Sequence, residues 1–86
     1  MPYDIKLSDE IEQEFEKLRK KDKGLFDAVM RKILKIAEEP FLGKPLRNIL
    51  KGKRRVHVGH FVLFYEIENS PNKIVVIKLA HHDDAY

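Results

Sequence analysis

The chain has 86 residues and no cysteine. That leaves room for one small domain spanning residues 1–86, and excludes a two-domain enzyme, a disulfide framework, thiolate chemistry and Cys-based zinc or iron–sulfur sites. Its net charge of +3 is unevenly placed: residues 1–43 hold nine Lys/Arg against ten Asp/Glu, and residues 44–86 hold eight against four, so the halves carry −1 and +4. Charged residues at 36% and apolar ones at 43% give a globular rather than a disordered balance. No run of apolar residues is long enough to span a membrane. The start, MPYDIKLSDE, lacks the basic and apolar regions of a secretory leader, so a cytoplasmic, reducing setting is expected.

Tyr3, Ile5 and Leu7 alternate with Asp4 and Lys6, a period of two that predicts a short strand. Ser8 or Asp9 then supplies a helix N-cap, with Glu12 three residues after Asp9 as in a capping box. Ile11, Phe15 and Leu18 follow at helical spacing, acids first and bases last, as the helix dipole favours. Asp22-Lys23-Gly24 breaks this helix. Leu25, Phe26, Val29, Met30, Ile33, Leu34, Ile36 and Ala37 form a second, broader apolar stripe that Pro40 ends. Two helices so closely joined should pack as an antiparallel hairpin. Phe41–Gly52 reads as a connector, with Leu46, Ile49 and Leu50 available to the core.

The period then changes. Arg54–Val58 alternates, with Val56 and Val58 on one face and Arg55 and His57 on the other. Phe61–Ile67 and Ile74–Ala80 are rich in β-branched and aromatic residues and read as two further strands. Gly59 suits a tight turn between the first two, and Asn69-Ser70-Pro71-Asn72 a turn between the last two. The expected fold is α+β, in the order β-α-α-β-β-β, with an antiparallel meander packed by one face against the helical hairpin. The other face is left partly open to solvent or a ligand.

The candidate chemistry lies late in the chain. The segment Lys44–His60 holds Lys44, Arg47, Lys51, Lys53, Arg54 and Arg55 with no acid, and His57 and His60 close it. Such a block points to a polyanion, most simply nucleic acid, or to an acidic protein partner. His81-His82-Asp83-Asp84 is rich in metal-binding atoms, but neighbours on an extended segment point opposite ways and the spacing matches no zinc pattern, so neither metal nor cofactor is expected. RNA cleavage needs no metal if a base takes the 2′-hydroxyl proton, cations steady the phosphate and an acid protonates the leaving oxygen. His57, His60 or His82 suits proton transfer, and Arg54 or Arg55 with Lys53 suits the phosphate. Phe61 or Tyr86 suits stacking on a base.

Taken in order, these segments resemble the RelE/ParE toxin superfamily of type II toxin–antitoxin modules. The resemblance runs from YDIKLSDEIEQEFEKL through PLRNILKG to RRVHVGHFVLFYEI and the tail IKLAHHDDAY. It implies a RelE-like fold and, in the messenger-cleaving members, metal-independent cleavage of mRNA in the ribosomal A site through the 2′-hydroxyl. In the branch similar to YafQ a catalytic histidine stands four residues before a terminal aromatic, a spacing that His82 and Tyr86 match. His57 falls where that branch carries a histidine, His60 where it carries an acid, Phe61 matches the aromatic that follows, and Arg55 matches the basic residue of the first meander strand. The resemblance thus assigns catalysis to His82, His57, Arg55, His60 and Tyr86. The surrounding Arg47, Lys51, Lys53, Arg54 and Phe61 are left to hold RNA. The sequence departs from many relatives where His82 and Val62 stand in place of arginines and His60 in place of an acid.

The expected function is therefore a ribosome-dependent mRNA endonuclease toxin with an antitoxin protein, the ribosome and mRNA as partners. Two alternatives stand beside it. The ParE branch shares the scaffold but acts on DNA gyrase without nuclease chemistry, and a non-enzymatic RNA-binding domain would show salt-sensitive affinity without cleavage.

Overall fold

The computed structural model describes residues 2–46, 52–69 and 72–85. The elements run β1 (Asp4–Leu7), α1 (Asp9–Lys21), α2 (Lys23–Glu38), β2 (Lys44–Pro45), β3 (Lys53–Val58), β4 (Phe61–Asn69), β5 (Asn72–His81) and α3 (His82–Ala85). The helical hairpin and the three-strand meander stand as the periodicity predicts. Two features go beyond it. A two-residue strand, β2, lies inside the expected connector, and a short helical turn follows β5.

Local chemistry explains the helix ends. Ser8 caps α1, its hydroxyl accepting the Ile11 N–H at 3.1 Å. The third helical residue is then Ile11, so the Asp9–Glu12 capping box is not the one used. Asp22 alone separates the helices. Its N–H donates to the Leu18 carbonyl at 2.7 Å, closing α1, and its carboxylate accepts the Leu25 N–H at 3.1 Å, opening α2. The break is one residue rather than three because this aspartate serves both ends, and Gly24 is absorbed into the first turn of α2.

The sheet order is β1-β5-β4-β3-β2. β3, β4 and β5 are antiparallel neighbours, while β1 crosses over the hairpin to pair parallel with β5, Ile5 opposite Ile74 and Leu7 opposite Val76. The β3–β4 turn is two residues long, with Val58 paired to Phe61 and Gly59 at φ +60°, a conformation open chiefly to glycine.

The core lies between the hairpin and one sheet face. Ile11 and Phe15 of α1 and Val29, Ile33 and Ile36 of α2 meet Val58, Leu63, Tyr65, Ile74 and Val76. Residues 76 and 79 of β5 have opposite parity, yet both serve this face. The register shifts between Phe64 and Tyr65, whose partners are Lys78 and Val76, so Ile77 is passed over. This β-bulge resets the alternation and brings Leu79 back onto the core. On the far face His57, Val62 and Ala80 stand in a row across three strands, and Val62 and Ala80 are buried although neither belongs to the main core. The apolar stripe of α2 is not wholly used: Leu34 is 61% exposed, and Phe41 beyond the helix is 66% exposed.

Candidate functional site

The four histidines gather at one end of the sheet and divide between its two sides. His57 lies on the face away from the hairpin. His82 meets it, the ring centroids 5.5 Å apart and the planes inclined by 34°. This contact depends on the end of β5 being pinned, because the His82 N–H donates to the His60 carbonyl in the β3–β4 turn at 2.7 Å. His81 belongs to the other side. It pairs in register with Phe61, touches that ring edge-on at 5.3 Å, and stacks with His60 at 6.4 Å. Asp83 sits between the two clusters, its carboxylate oxygens 3.7 Å from Nδ1 of His81 and 3.9 Å from Nδ1 of His82. Among the described residues, no group of three or more His, Asp or Glu side chains is arranged to hold a metal ion.

The cations have separate employments. Arg55 shares the His57 face, as the alternation predicts, and both line an open groove beside Lys44 at the β2 edge. Arg54 does not lie with them. Its guanidinium donates to the Gly43 carbonyl and sits 4.9 Å over the Phe41 ring, so it fastens the α2–β2 connector to the sheet. Lys53 is paired across the strands with Glu66, Nζ to Oε2 3.7 Å. Beneath the connector, the buried hydroxyl of Tyr65 donates to the Pro40 carbonyl at 2.7 Å and accepts the Gly43 N–H at 2.8 Å. Burial pushes this phenol above its ordinary range, partly offset by the Gly43 N–H and by the nearby Arg54.

Of the residues singled out from sequence, His57, His82 and Arg55 share one region. His60 and Phe61 stand with His81 on the other side of the sheet end, and Lys53 and Arg54 have structural partners. Arg47, Lys51 and Tyr86 lie outside the described residues. A second cleft was not anticipated. Arg31, Lys32 and Lys35 of α2 line it together with residues 57–59 at the end of β3. The three cations read as an ordinary solvated helix face. A signal was there, since they recur at helical spacing with no acid among them, but nothing local says which strand they oppose.

Residues 5–86 match the ParE toxin of type II toxin–antitoxin systems, parDE, and the chain belongs to this family. It is similar to an uncharacterized protein of Methanosarcina mazei, 33% identical over 98% of this chain and 99% of the relative. It is also similar to a Methanocaldococcus jannaschii protein that carries the toxin name RelE4, 29% identical over 98% of this chain and 90% of that protein. Among solved structures it resembles a chain of the RelBE2 toxin–antitoxin complex from Mycobacterium tuberculosis, with TM-score 0.81, 25% identity, and coverage of 94% of this chain and 99% of that one. Membership in a type II system implies a cognate antitoxin protein as partner. No helix among the described residues is long and apolar enough to cross a membrane.

Proposed function

We propose that the chain is a toxin that arrests growth by binding DNA gyrase, as the ParE branch does, rather than by cutting RNA. The match over residues 5–86 to the ParE toxin carries this reading. The geometry of the expected cleavage set supports it. His60 stands with His81 rather than with His57 and His82, Arg54 is bonded to the connector, and position 62, where many relatives carry arginine, holds a fully buried valine. Among the described residues of that set, only His57, His82 and Arg55 share one region.

The purified toxin, freed of antitoxin, should inhibit supercoiling of relaxed plasmid by gyrase and leave no new messenger ends on induction. Full supercoiling activity at saturating toxin would overturn the proposal.

The His57–His82 contact favours a second reading, ribosome-dependent cleavage of mRNA through the 2′-hydroxyl without metal. One imidazole would take the 2′-hydroxyl proton and the other return one to the leaving oxygen, with Arg55 beside them on the phosphate. Primer extension of cellular messenger separates the two readings. Discrete cuts that vanish in His82→Ala, with the fold kept, select the nuclease. Growth arrest without cuts selects the gyrase inhibitor.

A further inference from the structure

We infer that the cleft between α2 and the β3–β4 turn, whose cations lie outside the basic segment read from the sequence, is a binding site for a nucleic-acid phosphodiester backbone. The cleft is open and has a volume of about 320 Å³. One wall is a single helix face carrying Arg31, Lys32 and Lys35, and the other is His57, Val58 and the turn glycine Gly59. No acid lines it.

Three further observations point to a backbone rather than to a small anion. First, the ion pairs found among the described residues engage Arg19, Lys23, Lys53 and Lys73, none of them in the cleft. Arg31, Lys32 and Lys35 thus keep their donors for a ligand. Second, the cleft is open rather than enclosed, and it does not end at His57. That residue also lines the adjoining groove with Lys44 and Arg55, which is equally free of acid. The two together make a cationic track along β3 at its edge beyond β2, too open to hold a single small anion tightly. Third, Gly59 presents backbone with empty space where a side chain would stand, so a sugar–phosphate chain can approach closely at this point. Arginine and lysine together suit such a chain. The planar fork grips a phosphate in a fixed direction and the ammonium groups follow a moving one.

This inference is independent of the target proposed above, because gyrase works on DNA and the ribosome is built of RNA. Both sources share the phosphodiester chemistry. The test is fluorescence-anisotropy binding of a labelled single-stranded RNA and a labelled DNA duplex of equal length. It compares the wild-type chain with the triple variant Arg31→Gln, Lys32→Gln and Lys35→Gln. Glutamine keeps helix propensity, and the thermal midpoint should stay within a few degrees. The wild type should bind in low salt, and the variant should bind at least tenfold more weakly. Its dependence of log affinity on log salt should be shallower by about 2, from roughly 0.7 per phosphate contact on a single strand. Tighter binding of one probe identifies the source. Equal affinity and equal salt slope in variant and wild type would overturn the inference. So would polyglutamate binding as tightly as either oligonucleotide, which would assign the cleft to an acidic protein segment.

Discussion

Tyr65→Phe tests what holds the connector, and with it the groove edge at Lys44 and Arg55. The substitution keeps the ring, which is fully buried, and removes only an oxygen that donates to Pro40 and accepts from Gly43. Both partners are themselves buried, so a carbonyl and an N–H are left unmatched. An unsatisfied buried group costs about 1–3 kcal/mol, and with partial relaxation the pair should cost about 2–4 kcal/mol. For 86 residues the unfolding entropy is roughly 0.18 kcal/mol/K, so a loss of about 3 kcal/mol lowers the melting temperature by about 15 °C. Urea denaturation followed by circular dichroism measures the first figure, with an unchanged m-value, and a thermal scan the second. The phenol adds a pH signature. Its folded-state pKa is raised, so its contribution to stability is complete below the unfolded value, about 10, and is lost as pH rises through the folded value. The advantage of wild type over Tyr65→Phe should therefore be flat from neutral pH to the unfolded value and shrink above it. A loss under 0.5 kcal/mol, or a difference that does not change above pH 10, would refute the reasoning.

Gly43→Ala should be nearly as damaging. An added Cβ would stand 2.6 Å from the Arg55 carbonyl and 2.7 Å from the Tyr65 hydroxyl, so a loss of about 2–3 kcal/mol in urea is expected. Asp22→Ala removes the cap that opens α2 and should lower stability by about 1 kcal/mol by the same measurement, and Ser8→Ala should do likewise at α1. Arg54→Lys keeps the charge but loses the flat group over Phe41 and the directed bond to the Gly43 carbonyl. It should destabilise by about 1 kcal/mol while leaving the proposed gyrase inhibition within twofold in a supercoiling assay.

How much could be read beforehand followed the range of the interactions. The two helices, the meander and the shared face of Arg55 and His57 rest on spacing within one element, and the chain displays that spacing openly. The meeting of His82 with His57 depends on the bond from the His82 N–H to the His60 carbonyl, which no spacing within one strand displays. The parallel union of β1 with β5 was not legible, because a strand's partner is set by packing across the hairpin and not by its own residues. Arg54 illustrates the same limit. In the sequence it is one more cation in a basic run, and only the fold of residues 40–43 beneath it shows that its donors are already engaged. The cations of α2 are the converse case, ordinary in sequence and brought to one cleft with the end of β3 only by the way the helix crosses the sheet.

The passed-over residue Ile77 decides which of two adjacent histidines looks toward His57. Were Ile77 instead paired in turn with Phe64, simple alternation would exchange the faces of everything beyond it. His81 would turn to the side that His82 now occupies, and the imidazole opposite His57 would be replaced by another imidazole. The doublet thus makes this end of the sheet tolerant of a one-residue slip, a tolerance that a single histidine there would not confer. Deleting Ile77, by contrast, would join Val76 directly to Lys78, keep Leu79 on the core and leave His82 beside His57.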